Sequence, residues 1–188
     1  MHIRPVPALL TLAAALALAL PAQAELNAYL SVKGQKQGDI KGSVTQKGRE
    51  GRIMVIAMDH TVMSPTDPAS GLATGRTMHK PLTIIKEIDR SSPLLHNALS
   101  SNENLTDVVL EFWQPPKVGT GSGAEVQYYT IALKNARVTG IHQVMPNNKN
   151  PDLARYAAYE EVAFTYDSIT WTWTDGGITA GDNWNARH

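Results

Sequence analysis

"SGLATGRTMHKPLTIIKEIDRSSPLLHNAL", residues 70–99, joins three kinds of local sequence that together indicate the fold class. A basic segment with two glycines leads into an apolar stretch that ends in charged residues, which is typical of a strand. Ser91-Ser92-Pro93 then begins one short helix. On its own, the glycine-containing segment fits a phosphate-binding loop, a catalytic turn or a structural loop.

The predicted helix has both a start signal and an apolar face. Ser91 or Ser92 is a suitable N-cap, and Pro93 falls in the first turn, where no backbone N–H is needed. The apolar residues of this helix share one face, so that it can lie on a sheet. They are Leu94, Leu95, Ala98 and Leu99.

Most of the remaining chain alternates between apolar and polar residues, which is the period of a half-buried strand. Strands of this kind are predicted at 27–33, 107–113, 127–133 and, with poorer alternation, 136–145. The stretch 52–63 is apolar on both faces, which indicates a strand covered on both sides. Many strands with one helix predict a mainly β fold, a small antiparallel barrel or sandwich with one α-helix alongside.

The last predicted strand region, 159–173, changes phase at Asp167-Ser168. Its large residues keep one parity before that point and the other parity after it. A β-bulge there would return all six large side chains to one face, whereas a tight turn is the competing interpretation. The six are Val162, Phe164, Tyr166, Ile169, Trp171 and Trp173.

Three segments are predicted to be loops: 64–79, 146–159 and the glycine-rich 117–125. The GTGSG sequence at 119–123 has no lysine in the position of a phosphate-binding loop, and a strand follows it instead of a helix. Ser122 also lacks the spacing of a nucleophile elbow. A hairpin tip is therefore the favoured interpretation of 119–123.

Composition excludes several classes of function. The 17 basic and 17 acidic residues cancel, so that no charge excess favours nucleic acid or an anionic membrane as a partner. The chain has no cysteine, which rules out disulfides, thiolate metal sites and cysteine nucleophiles.

The N-terminal 24 residues have the pattern of a secretory signal. Arg4 precedes an apolar run, and Ala22-Gln23-Ala24 supplies the small residues of a cleavage site. The run is shorter than the ~20 apolar residues of a membrane-spanning helix. We therefore expect a signal peptide at 1–24, a mature domain at 25–188 that does not insert into the membrane, and secretion or periplasmic export.

No catalytic, cofactor or metal motif is recognisable. The histidines of the mature chain have no short ligand spacing; they are His60, His79, His96, His142 and His188. Glu160 and Glu161 are adjacent on a strand and point to opposite faces. Trp171 and Trp173 share a face, where they suit a buried core better than a sugar platform.

The chain resembles the Hcp family, the tube proteins of type VI secretion systems. The resemblance rests on 70–99, on VVLEFW (108–113), on YYTIALKNARVTGI (128–141), and on YEEVAFTYDSITWTW (159–173) with the closing DNWNA (182–186). It implies a small barrel of two packed sheets with one helix. Its partners would be further copies in stacked hexameric rings, a valine-glycine-repeat spike protein, a contractile sheath and effectors carried in the lumen.

The resemblance also implies roles for individual residues. Leu82, Ile84 and Ile88 would contribute to the core, while Asp59 or His60 would face the lumen. The glycine-containing stretch would be a structural loop in contact with neighbouring subunits or solvent; its residues are Gly71, Gly75, Arg76, His79 and Lys80.

Three alternatives remain open. Because family members generally lack a signal peptide, the chain could be an exported periplasmic or secreted binding module of the same fold. It could also be a monomeric β-sandwich that binds carbohydrate through Trp171 and Trp173. A secreted hydrolase assembled from distant residues such as His142 and Asp59 is the third.

Overall fold

The computed structural model describes residues 27–116 and 124–184. The predicted leader at 1–24 and the GTGSG segment at 119–123 lie outside these residues. Within them the chain is mainly β with one helix, as predicted. The elements are β1 (Asn27–Gly34), β2 (Gly38–Ile40), β3 (Ile53–Val55), β4 (Ala57–Asp59), β5 (Val62–Met63), β6 (Met78–His79), β7 (Leu82–Glu87), α1 (Ser92–Ser100), β8 (Leu105–Gln114), β9 (Val126–Val144), β10 (Tyr159–Thr165), β11 (Ser168–Trp173) and β12 (Ile178–Asn183).

The main sheet bends into two layers that share the long strand β9. Its order is β2-β1-β8-β9-β10-β7-β4, and neighbouring strands are antiparallel. The first half of β9 pairs with β8 and β11, and the second half pairs with β10. Between the halves Asn135 has φ +48°, a left-handed conformation that asparagine tolerates better than most residues. The bend at Asn135 separates the two layers.

The described residues do not close this sheet into a continuous barrel. β3 pairs with β1, whereas β4 pairs with β7. Between them the Ile56 N–H donates to the Ile85 carbonyl at 2.8 Å, so that the chain crosses from one layer to the other at this residue. The predicted antiparallel two-layer class is confirmed, while the sheet itself is open.

The prediction of one strand at 52–63 is wrong. The stretch forms three short strands, β3, β4 and β5, which pair with three different partners. Ile53 and Val55 are buried, but Met54 is 43% exposed and Ile56 is 58% exposed. A change of layer at Ile56 explains why no single face of this stretch is covered throughout.

The phase change at Asp167-Ser168 coincides with the break between β10 and β11. Both strands run antiparallel to β9 in the same direction, so the interpretation as a tight turn is wrong. The break restores Ile169 to the buried face that Val162 and Phe164 occupy. The large side chains of β11 do not all return to the buried face, because Trp173 is 42% exposed.

The core lies between the two layers and under the helix. Alternate residues of β1, β7, β8, β9 and β10 supply it, as the period of two predicts. Its buried members include Leu30, Val32, Ile53, Leu82, Ile84, Leu95, Leu105, Val108, Leu110, Ile131, Leu133, Val162, Phe164 and Ile169.

The helix α1 packs on β9 through a narrower face than predicted. Leu95 and Ala98 are buried and Leu99 packs partly against the core. Leu94 is 36% exposed, so the prediction that it lies on the face packed against the sheet is wrong. Leu94 lies about 100° around the helix from Leu95, outside the buried stripe.

Two further side chains differ from the expectation. Ile88 is 47% exposed because it lies beyond the end of β7, where the chain leaves the sheet. Tyr29, on the polar face of β1, is fully buried. The Arg49 guanidinium covers the Tyr29 ring at 4.9 Å from its centroid and pairs with Glu125. Strand alternation cannot show that a loop covers the outer face.

Candidate functional site

Residues 60–79, which we call the excursion, project from the sheet between β4 and β7. β5 and β6 form a two-stranded hairpin at its base, pairing Val62 with His79 and Met63 with Met78. Its apolar side chains remain exposed in the single chain. The exposed fractions are 38% for Val62, 40% for Met63, 69% for Leu72 and 46% for Met78.

The tip of the excursion is an ordered turn built around Asp67. The N–H groups of Ala69 and Ser70 donate to the Asp67 carboxylate, and the Gly71 N–H donates to its carbonyl at 2.8 Å. Gly71 has φ +69°, which favours glycine because it has no side chain. The predicted loop therefore has a defined shape.

The predicted subunit-contact residues do not all lie on this tip. Gly71, Gly75 and Arg76 are exposed. The side chain of His79 is only 6% exposed and contacts its own chain. His79 thus fixes the base of the excursion from within.

The base of the excursion is held by a polar cluster of His60, His79, Tyr166 and Asp182. The Tyr166 hydroxyl lies 2.6 Å from His60 Nε2 and 2.9 Å from His79 Nδ1. His79 Nε2 lies 2.9 Å from Asp182 Oδ2. The cluster joins both ends of the excursion to β12 and to the break between β10 and β11.

Aromatic rings surround this cluster. The Trp171 ring stacks on His79 with centroids 6.4 Å apart and an interplanar angle of 16°. The Trp184 ring lies edge-on to His79 at 6.0 Å. Trp171 is thereby part of the core margin, whereas Trp173 contacts Tyr128 at the surface. The predicted burial therefore holds in part for Trp171 and is wrong for Trp173, which is 42% exposed.

Burial governs the electrostatics of the cluster. Burial raises the pKa of Tyr166 to about 12, and the nearby Asp182 carboxylate adds to this effect. Tyr166 is therefore a neutral phenol at physiological pH. Burial also lowers the pKa of His60, as does the electrostatic interaction with His79, against an opposing effect of Asp59. The environment favours a neutral His60.

His60 and His79 are brought together, although the family resemblance implies different surfaces for them. They lie 19 positions apart in the sequence, and their partner Tyr166 is 106 and 87 positions away. No short motif connects them. Asp59, the other predicted lumen residue, lies exposed at the end of β4 opposite Thr83.

A second polar cluster, around Lys86, was not predicted from the sequence. Lys86 is fully buried and its ammonium pairs with Glu160 at 2.8 Å and Asp89 at 3.0 Å. It also donates to Ser92 at 3.1 Å, at the start of α1. Adjacent Glu161 is partly exposed, which confirms that the two glutamates face opposite ways.

The pairing of strands does not support a hydrolase built on His142 and Asp59. β10 and β7 lie between β9, which carries His142, and β4, which carries Asp59. Three interstrand spacings amount to about 14 Å, too far for an acid–base couple. Among residues 27–116 and 124–184, no group of three metal-ligating side chains converges, and no helix has the length and apolarity to cross a membrane.

An apolar surface lies beside β3. Met54, Val55, Ile56 and Val44 line a pocket of about 510 Å³ whose rim includes Glu87 and Asp89. In a single chain Met54 and Ile56, and Val44 in part, remain in contact with water, whereas Val55 is buried. A neighbouring molecule packed on this surface would shield these side chains from water.

Comparison with known proteins gives one consistent result. Residues 29–173 match the family described as "Type VI secretion system effector, Hcp". The "Major exported protein" of Pseudomonas aeruginosa is 38% identical over 168 residues, covering 85% of this chain and 95% of that protein.

Two solved structures share the fold. A variant of the Hcp1 protein from E. coli EAEC 042 is 34% identical with a TM-score of 0.73, covering 85% of this chain and 99% of that one. "Secreted protein Hcp3 from Pseudomonas aeruginosa" is 31% identical with a TM-score of 0.67, covering 86% and 100%. The matched residues extend from β1 to the end of β11, and the chain belongs to the Hcp family of type VI secretion proteins.

Proposed function

We propose that the mature chain is a ring-forming tube subunit of type VI secretion that is exported and carries effectors in its lumen. The observation that supports this most directly is the family match over 29–173, together with the nearly complete coverage of the exported relative. The Hcp family forms hexameric rings that stack into a tube. The role is structural, with no reaction assigned to the chain.

The exposed apolar surface beside β3 supports ring formation. Met54 and Ile56 are large apolar residues at 43% and 58% exposure, next to the pocket of about 510 Å³. Burying such side chains stabilises an interface by about 25 cal/mol for each Å² removed from water. In a closed ring each subunit presents one surface to a different surface of its neighbour, so that every copy is covered.

The remaining residue roles are proposed from position. Gly71, Gly75 and Arg76 are exposed on the excursion, where they can contact a neighbouring subunit. Asp59 is exposed at the end of β4 and is the better candidate for a lumen position than the half-buried His60. By family resemblance, the further partners are a valine-glycine-repeat spike protein, the contractile sheath and effectors.

The interface role of β3 can be tested by adding charge. Met54→Glu combined with Ile56→Glu should convert the ring of residues 25–188 to monomers, because the carboxylates would be buried without partners. Met145→Glu is the matched control, since Met145 is 75% exposed on another part of the surface. Light scattering measures the mass. A double variant that keeps the ring would contradict the role of this surface.

A second candidate function rests on the leader. If residues 1–24 direct export to the periplasm, the chain is a binding module of the same fold that works outside a cytoplasmic tube. Fractionation of the native cells separates the two candidates. Protein found only in the periplasm, as monomers, supports the module; rings recovered with the secretion apparatus support the tube.

A further inference from the structure

Both ends of the excursion are fastened to the sheet through one phenol. His60 follows β4, and His79 ends β6. The Tyr166 hydroxyl lies 2.6 Å from His60 Nε2 and 2.9 Å from His79 Nδ1. Tyr166 lies between β10 and β11, and Asp182 on β12 binds the other side of His79. At this base the Lys80 N–H also donates to the Thr61 carbonyl at 3.0 Å.

We propose that His60, His79, Tyr166 and Asp182 form an acid-sensitive latch, which holds the excursion on the sheet near neutral pH and releases it when the medium is acidified. The proposal concerns the single chain and does not depend on ring formation.

One arrangement of protons satisfies all three contacts when both imidazoles are neutral. His79 donates its Nε2–H to the Asp182 carboxylate, which leaves Nδ1 as an acceptor. The Tyr166 hydroxyl donates to that Nδ1, and its oxygen accepts the Nε2–H of His60. Each side chain in the chain of bonds then has a complementary partner.

Acid disturbs this arrangement at His60. A second ring proton on His60 would place a positive charge in a partly buried site, where the ring centroids of His60 and His79 are 6.0 Å apart. Burial, and next the electrostatic interaction with His79, lower the pKa of His60.

The charges around the cluster act on His60 in opposite senses. Asp59 favours a charged His60, whereas His79 disfavours it, and the Asp182 carboxylate faces His79 from the other side. The other charged groups that line the pockets beside His79 and Trp184 are Arg76, Lys80, Arg137 and Asp167. Three of these four are cations, so this side of the cluster offers a charged His60 little stabilisation.

The sign of the pH dependence follows from His60. Its pKa is lower in the latched state than the ordinary value of 6.5, so the released state binds protons more readily. The latch therefore contributes fully above about pH 6.5 and weakens as the pH falls below that value, through the lowered pKa.

The direct test is hydrogen exchange of the mature protein at about pH 7.5 and about pH 5.5, two values on either side of the ordinary histidine pKa. Labelling times are scaled for the intrinsic pH dependence of amide exchange. We expect the protection of amides in 61–80 to be about tenfold lower at the acidic pH than at the neutral one. Release coupled to the uptake of one proton changes protection about tenfold per pH unit, and only about one unit of this range lies below the ordinary histidine pKa. Protection in β8 should stay constant.

Three variants isolate the latch from general effects of acid. His60→Gln keeps an N–H donor towards Tyr166 but cannot be protonated, so protection should persist at both pH values. Tyr166→Phe removes the shared hydroxyl and should lower protection already at neutral pH. His142→Gln is the matched control, because the His142 side chain is 71% exposed away from the cluster.

Two outcomes would overturn the proposal. Wild-type protection of 61–80 that is the same at both pH values would show that acid does not release the excursion. A fall in His60→Gln as large as in the wild type would show that His60 is not the sensor. If Tyr166→Phe fails to fold, the comparison of the wild type with His60→Gln still shows whether protonation of His60 releases the excursion.

Discussion

The buried ammonium of Lys86 ties three parts of the fold together. It lies on β7, pairs with Glu160 on β10 and with Asp89, and donates to Ser92 at the first turn of α1. Gln143 on β9 donates to the second Glu160 oxygen at 2.9 Å. Every member has partners, which is the condition under which buried charge is tolerated.

Removing this ammonium should be strongly destabilising. Lys86→Met leaves Glu160 and Asp89 without their cation, at a cost of about 3–5 kcal/mol in the free energy of unfolding. Urea denaturation measures the loss. Glu160→Leu on the Lys86→Met background should recover part of it, because the buried carboxylate is then gone.

Lys134→Met is the matched control for this prediction. Lys134 pairs with Asp107, but the two side chains are 59% and 37% exposed. An exposed pair contributes less than about 1 kcal/mol. Equal losses for Lys86→Met and Lys134→Met would show that burial of the Lys86 cluster does not matter.

Glu103 predicts a dependence of stability on acid pH. Burial would raise its pKa, but the N–H groups of Gln37 and Lys36 donate to its carboxylate and the net effect is a lowered pKa. The stability from these bonds is therefore present above the unfolded value of 4.5 and is lost as the pH falls through the lower folded value.

Glu103→Gln tests this assignment. The variant should unfold at lower urea concentration than the wild type at neutral pH, because a neutral amide oxygen accepts the same N–H groups more weakly. The gap should narrow in acid, where the wild-type carboxylate becomes protonated. A gap of constant size from neutral to acid pH would contradict the role of the charge.

At the scale of elements, α1 is held by Leu95. Its side chain is fully buried against the core, and Leu94 one position earlier is 36% exposed. Leu95→Ala should cost about 2–5 kcal/mol, the range for removing a large apolar side chain from a core. Leu94→Ala should cost clearly less. Thermal or urea unfolding compares the two, and equal small losses would show that the helix does not pack as described.

Elements with one covered face could be predicted from the sequence. The alternation in β1 and β8 and the Ser-Ser-Pro start of α1 each depend on neighbours within a few positions. The stretch 52–63 could not be predicted, because its division into three strands depends on pairing with β1, β7 and β6. Likewise, Tyr29 is buried by Arg49 from a loop that no strand period reveals.

The polar cluster at the base of the excursion could not be predicted for the same physical reason. His60 and His79 meet through Tyr166, which belongs to a strand break more than 80 positions away, 106 and 87 respectively. Only the folded sheet brings these groups within hydrogen-bonding distance. By contrast, the exposed tip with Gly71 and Gly75 was predictable from its turn residues.

At the scale of the whole molecule, the predicted leader at 1–24 would decide where the protein works. We expect signal peptidase to cleave after Ala24, because a basic start, an apolar run and Ala22-Gln23-Ala24 follow in the order of a secretory signal. Mass spectrometry of the native protein should find Glu25 as the first residue. An intact Met1 on protein from the cytosol would contradict export through this leader.

The central claim is that the mature chain assembles into a ring, since its uncovered apolar residues Met54 and Ile56 need a partner surface. Native mass spectrometry of purified residues 25–188 measures the number of subunits directly. We expect a dominant species of about six subunits, as in the hexameric rings of the family, because a closed cyclic assembly lets every copy make the same contacts. A monomer that persists at high micromolar concentration would contradict it.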